Sequence, residues 1–248
     1  MSSDNLSQEF SILIIGFGAF GRLAADLLAP HLRLAVCDPC PTAQDQARAR
    51  GFSVRPLAAA GGFDLVLLAM PVPALETVLA GLAPCLRPGQ IVADVCSVKE
   101  APVALMQRLL PDHVQILGTH PMFGPQSTAA ATGPARIVLC PVRGTGWRRI
   151  AAFLRRVLGL SVIVTSAAEH DRHAALTQGL THLLARAMAG FQPHPRIRTR
   201  SFDLLAEALA MVADDAPEVF RAVTQGNAHV GPLRDRLAQA LMQPGPSG

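Results

Sequence analysis

The residues of this chain that could do chemistry are a run of closely spaced glycines, a serine and a histidine placed after short apolar runs, and a polar set at helical spacing. The glycines come as Gly16-Phe17-Gly18-Ala19-Phe20-Gly21, between the apolar run Ser11 to Ile15 and a segment, Arg22 to Leu28, that reads as a helix. In a strand, turn, helix setting the first glycine permits the tight turn, the second lets the backbone approach a pyrophosphate, and the third lets helix and strand pack closely. The helix start then offers unpaired N–H groups and partial positive charge to phosphate. Without a ligand the same hexapeptide is only a glycine-rich turn. Asp38 adds weight to the dinucleotide reading. It closes the second apolar run 22 positions after Gly16, where a carboxylate can accept both hydroxyls of an adenosine ribose, although it could also simply cap a strand end. With Pro39 following and no arginine beside it, Asp38 would repel a 2′-phosphate, so NAD is expected in preference to NADP. Met70 and Pro71, after the run ending at Ala69, are expected to run beside the nicotinamide.

Asp94-Val95-Cys96-Ser97-Val98-Lys99 and Gly118-Thr119-His120-Pro121-Met122-Phe123-Gly124-Pro125 also follow apolar runs. An open α/β sheet gathers its chemistry at the carboxyl ends of its strands. These stretches bring a hydroxyl, Ser97, and an imidazole, His120, towards one crevice. A dehydrogenase acting on an alcohol needs such a pair, because one group must take the hydroxyl proton while hydride leaves the carbon. An imidazole, with an unperturbed pKa of about 6.5, suits that task. Taken alone, His120 could be a loop histidine without chemistry, and Ser97 the N-cap of a helix running on through Lys99 and Glu100. Lys99 reads as a solvated first-turn residue. Farther along, Asp171, Gln178 and His182 share one helix face with Ala174, Ala175 and Ala185, which describes either a cleft wall with room for a ligand or a solvated face.

The elements that must position these groups follow from periodicity. Ser11 to Ile15, Leu32 to Cys37, Leu65 to Ala69, Ile91 to Asp94, Gln115 to Leu117, Arg136 to Cys140 and Ser161 to Thr165 read as strands separated by amphipathic stretches. Several are continuous apolar runs, as expected of strands covered on both faces of a parallel sheet. That is an α/β domain, a Rossmann-type doubly wound, mostly parallel sheet over residues 1–166. From Ala167 to Phe191, Phe202 to Ala213 and Pro217 to Met242 the apolar spacing is helical and no strand candidate remains, so an all-helical domain is expected over 167–242. Its helices carry more apolar positions than a solvated bundle of that size needs, which points to a dimerisation surface and a homodimer. Residues 243–248 read as a disordered tail.

Composition bounds the rest. Half of the residues are apolar and 16% are charged, which excludes a disordered chain or a coiled coil. No apolar run approaches the roughly 20 residues of a membrane helix, and Met1 to Glu9 does not read as a signal peptide, so the expected location is cytoplasmic with no membrane partner. Five cysteines, an odd number, favour free thiols. Cys37 and Cys40 form a C-x-x-C, but Cys85 and Cys96 are not spaced as a second ligand pair, and no metal is expected. The net charge is +4, with 21 of the 22 basic residues arginine and only Lys99 lysine; the arginines are scattered, which does not favour nucleic acid.

Taken together, G-F-G-A-F-G, D-V-C-S-V-K, G-T-H-P-M-F-G-P and E-H-D-R-x-x-A-x-x-Q-x-x-x-H, in this order, resemble the prephenate/arogenate dehydrogenases of tyrosine biosynthesis, over about Phe10 to Ala238. The resemblance implies a Rossmann domain followed by a helical dimerisation domain, and an NAD-dependent oxidative decarboxylation of arogenate, prephenate or both. It implies that His120 accepts the proton of the ring 4-hydroxyl with Ser97 as its hydroxyl partner, and that Gln178, His182 and, more weakly, Thr181 face the substrate. One position departs from the family. Where prephenate-using relatives carry a carboxylate-binding arginine, this chain, aligned on Met211-Val212 and Asp215-Ala216-Pro217, has Asp203. Either Arg200 takes over, or the substrate presents an ammonium group there, as arogenate and other amino-substituted relatives of prephenate do. Two other readings stand beside this one: a β-hydroxyacid-type or imine-type dehydrogenase, which would lack H-P-M-F-G-P, and a dinucleotide-sensing protein that has lost catalysis.

Overall fold

Each apolar run of the amino-terminal part becomes a strand, and all of them join one sheet. β1 (Ser11–Ile15), β2 (Arg33–Cys37), β3 (Ser53–Val54), β4 (Leu65–Leu68), β5 (Ile91–Asp94), β6 (Gln115–Pro121), β7 (Arg136–Arg143) and β8 (Ser161–Val164) lie in the order β3-β2-β1-β4-β5-β6-β7-β8. Every neighbouring pair is parallel except β6 with β7. This computed structural model describes residues 9–124, 134–191 and 195–243. Expectations that fall on the other residues, among them Pro125, the first eight residues and the tail after Gln243, lie outside the described part.

The continuous apolar runs conceal an alternation. Ile12 and Ile14 of β1 enter a core with α1 (Ala19–Leu28), α2 (Pro41–Ala49) and α5 (Trp147–Arg156), whereas Leu13 and Ile15 enter one with α3 (Val72–Leu82) and α4 (Glu100–Leu109). Side chains two apart share a face, so a strand apolar at every position serves two cores. Strand order reverses beside β1, between β2 and β4, which is where an α/β sheet of this type opens a crevice at its carboxyl edge.

Three strands differ most from the sequence expectation, and one of them, β7, runs on past Cys140 to Arg143. β3 has only two residues, too few to show a period. β6 runs on from Leu117 to Pro121 because β7 pairs with it as far as Pro121 with Ile137, so His120 is a strand residue opposite Val138 and not a loop histidine.

The chain divides into two compact units, Met1–Ala167 and Ala168–Gly248. The second is helical: α6 (Ala167–Ala174), a π turn over Ala175–Gly179, α7 (Leu180–Met188), α8 (Arg200–Ala213), α9 (Pro217–Thr224) and α10 (Val230–Met242). The single helical stretch expected from Pro217 to Met242 is therefore two helices. The first helix closes at Gly226, whose N–H donates to the Arg221 carbonyl (3.0 Å), and Asn227 fixes the turn that follows: its amide donates to the Asp171 carbonyl (2.8 Å) while its oxygen accepts from the His229 N–H (3.0 Å). No described helix is long and apolar enough to cross a membrane.

Candidate functional site

β1 is buried along its whole length and delivers the chain to Gly16, which turns with φ +98°, a conformation that favours glycine. A Cβ on Gly16 would stand 2.3 Å from the Ala69 carbonyl oxygen, and one on Gly21 would stand 2.1 Å from the Gly16 carbonyl oxygen. Those two glycines are demanded by the protein's own packing. Gly18 is different, because a Cβ there would meet no atom of the described residues within 4 Å. It is the N-cap of α1, and no side chain caps that helix start. The open cradle at Gly18, beside the first N–H groups of the helix at Ala19 and Phe20, has the shape and polarity that a diphosphate requires.

Phe17 contributes backbone only. Its ring is fully buried, edge-on to Phe52 at 6.0 Å, and its N–H donates to Asp38 Oδ2 (2.7 Å). Asp38 Oδ1 accepts from the Cys40 N–H (2.8 Å), so both carboxylate oxygens are fixed by main chain at the end of β2, and each keeps a lone pair for a further donor. The donor set of this crevice therefore fits a dinucleotide: backbone N–H groups where phosphate would lie and an oriented carboxylate where ribose hydroxyls would lie. Met70 and Pro71 follow β4, Pro71 exposed as the N-cap of α3. Cys37 and Cys40 flank Asp38, and burial, then the Asp38 charge, pushes the Cys37 thiol up, which works against a reactive thiolate.

Ser97 lies beyond the carboxyl end of β5, and His120 lies within the last residues of the neighbouring β6, two residues past the Asp94–Gly118 pair. His120 is 3% exposed and Ser97 is half-buried. Ser97 does not cap α4: that helix starts at Glu100, its N-cap is Lys99, and no side-chain cap bond is made. Lys99 is the larger correction. It is completely buried, paired with Asp94 Oδ2, and donates to the Thr119 carbonyl (2.5 Å). A signal for this was present in the sequence: one lysine among 21 arginines marks a place where a slender stem is kept and a guanidinium is not. Below it, Asp94 Oδ2 also accepts from the Cys96 N–H (2.9 Å), and the Thr119 hydroxyl donates to the Asp94 carbonyl (2.5 Å). Burial, then the Asp94 charge, pushes the Cys96 thiol far up.

In the helical unit the expected polar stripe separates into parts. Asp171 is not on a cleft wall; it is 1% exposed and bonded to His170 Nδ1 (2.7 Å). Gln178 sits in the π turn, a device common at functional sites, and its Oε1 is buried without a hydrogen-bond partner among the described residues. His182 is 2% exposed; Nδ1 faces the Gln178 carbonyl (2.8 Å) and Nε2 faces Asp215 Oδ2 (3.0 Å). The partly exposed member of that pair is Asp215, which sequence reasoning used only for alignment. Thr181 spends its hydroxyl proton on the Thr177 carbonyl (2.6 Å). Arg200 is exposed and 3.9 Å from Glu207, whereas Arg198 Nε lies 3.3 Å from Asp203, so the aspartate at the departing position has its own guanidinium.

Comparison with known proteins adds a lineage to this geometry. Residues 29–166 match the family model described as prephenate dehydrogenase, nucleotide-binding domain. Arogenate dehydrogenase 2, chloroplastic, of Arabidopsis thaliana is 30% identical over 247 residues, covering 95% of this chain and 69% of the plant protein. Cyclohexadienyl dehydrogenase of Zymomonas mobilis is 31% identical over 194 residues, covering 72% of this chain and 66% of that protein. The fold is similar to that of prephenate dehydrogenase from Aquifex aeolicus, solved in complex with hydroxyphenyl propionate and NAD+, with a TM-score of 0.73 at 21% identity over 95% of this chain and 89% of that one.

Proposed function

The chain belongs to the prephenate dehydrogenase family, and on that premise we propose that it is an NAD-dependent oxidoreductase that converts a cyclohexadienyl substrate, arogenate in preference to prephenate, by oxidative decarboxylation in tyrosine biosynthesis. The observation that carries the reading is the set of groups at one edge of the sheet: the Gly18 cradle, the fixed Asp38 carboxylate, and the neighbouring strands β5 and β6, which pair at Asp94 and Gly118 just before Ser97 and His120.

Asp38 and the turn from Gly16 to Gly21 bind the dinucleotide, with Met70 and Pro71 beside its nicotinamide. When bound, that ring supplies the hydride acceptor. His120 accepts the proton of the substrate 4-hydroxyl as hydride leaves the carbon, and the Ser97 hydroxyl holds the imidazole to that task. Loss of the ring carboxylate as CO2 returns an electron pair to the same oxygen, His120 gives the proton back, and the ring becomes aromatic. Aromatisation drives the step, so these residues need only orient the ring and manage one proton.

Gln178 and His182, with Thr181 and Arg200 as further candidates, are the substrate contacts of the helical unit. One feature favours an ammonium-bearing substrate: Asp215 presents a part-exposed carboxylate against His182. The unit also leaves Leu176, Phe191, Leu204, Leu205 and Met211 exposed, which supports pairing of two copies through its helices.

The test is direct. Protein and NAD are mixed with arogenate or with prephenate and the reduced nicotinamide is followed by absorbance; turnover is expected with both and faster with arogenate. Demonstrable NAD binding without turnover of either would leave a dinucleotide sensor.

A further inference from the structure

Lys99 and Asp94 are both fully buried, and Asp94 Oδ1 has no hydrogen-bond partner among the described residues. Burying two charges costs desolvation that their attraction repays only when every remaining polar atom is satisfied, so such a pair is weak evidence for stability. Its geometry suggests another use. Asp94 ends β5 and, through the Cys96 N–H, shapes the loop that carries Ser97. Lys99 starts α4 and reaches back across to the Thr119 carbonyl, the peptide link that leads into His120. The Thr119 hydroxyl closes the circuit on the Asp94 carbonyl. Packing leaves this stem little freedom: a Cβ on Gly118 would already lie 3.3 Å from Lys99 Cδ and 3.2 Å from Val103.

We propose that Asp94, Lys99 and the Thr119 hydroxyl are positioning residues that hold the Ser97 loop and the His120 strand in mutual register. The proposal rests on His120 being the proton acceptor. Both side chains are fully buried, and the pair acts through the backbone on either side of it.

The decisive protein is the double variant Asp94→Asn/Lys99→Met, compared with both single variants. Each single change strands a buried charge and is expected to lower the melting temperature. The double change removes both charges, so its melting temperature recovers most of that loss. Its kcat is nevertheless expected to stay about 10²-fold below the parent, because misplacement of about 1 Å costs that much, with KM and the NAD dissociation constant within about threefold of the parent. In the cofactor-free protein, amide exchange over residues 95–99 and 118–120 is expected to be about tenfold faster than in the parent. A double variant with recovered stability and parent kcat, or with parent exchange rates in these segments, would overturn the proposal. If the double variant fails to fold, Thr119→Val decides: it keeps both charges and the volume, and a kcat within about twofold of the parent would overturn the proposal. Absence of turnover in the parent itself would count against the proposed reaction, while the exchange measurement would still test the positioning.

Discussion

Gly18→Ala separates what the glycine turn does for the fold from what it does for a ligand. Gly18 has φ −68° and ψ −165°, which alanine adopts without strain, and its Cβ would touch no atom of the described residues within 4 Å. Replacing a glycine N-cap by alanine costs about 0.5–1 kcal/mol and reduced unfolded-state entropy gives about 0.4–1 kcal/mol back, so stability should change by less than about 1 kcal/mol. Gly21→Ala differs in kind, because its Cβ would stand 2.1 Å from a backbone oxygen that cannot swing away. Overpacking of that sort costs about 1–3 kcal/mol, and at about 2–4 °C per kcal/mol for a chain of this size the variant should melt clearly lower. Binding should follow the opposite order of cause. A methyl group in the Gly18 cradle takes the place of the diphosphate, and a loss of about 2.7 kcal/mol corresponds to about 100-fold in affinity. At NAD equal to 100 times the parent dissociation constant, the parent gains about 2.7 kcal/mol from the ligand and the variant about 0.4. The NAD-dependent rise in melting temperature should therefore shrink from about 5–11 °C to about 1–2 °C, read by thermal unfolding with and without NAD. A Gly18→Ala protein that keeps the parent shift would show that the diphosphate does not lie on this turn, and one that melts low without ligand would show that Gly18 serves packing.

His120→Asn should lower kcat by at least about 10²-fold while NAD affinity, from titration of the binary complex, stays close to the parent; equal loss of both would make His120 structural. Asp215→Asn should weaken arogenate binding by about 10–100-fold, the worth of a charge-assisted hydrogen bond, and spare or improve prephenate; steady-state kinetics with the two substrates checks this, and a parallel loss with both would remove Asp215 from substrate choice. At the amino edge of the sheet, burial alone would raise the Asp64 carboxyl, but hydrogen bonds from the Ser11 N–H and hydroxyl, with Arg87, hold it below its usual value. A carboxyl lowered in the folded state stabilises above its unfolded pKa of about 3.9 and loses that contribution as pH falls through the folded value. Asp64→Asn should accordingly melt below the parent at pH 7 and converge on it as pH falls towards 2; a gap that stays constant with pH would mean that the ionised form is not what stabilises.

Local signals carried much of the architecture and half of the site. Apolar runs set the strands, the change of period near Ala167 set the helical unit, and the glycine turn with Asp38 marked a dinucleotide cradle, because strand, turn and helix preferences act over a few residues. Ser97 and His120 stood out as candidates for the same reason, as polar residues that follow short apolar runs. What tertiary structure alone decided are partnerships between residues far apart in the chain. Lys99 reads as a solvated helix start until β6 brings the Thr119 carbonyl to it, 20 residues on. His182 and Asp215 are 33 residues apart and meet because α7 packs against α8 and α9. Asn227, in the turn between α9 and α10, is held by the carbonyl of Asp171, 56 residues earlier. Side-chain type and spacing state what a residue can do next to its neighbours in sequence; burial and charge pairing depend on which strand or helix arrives opposite, and that is settled only when the whole core packs.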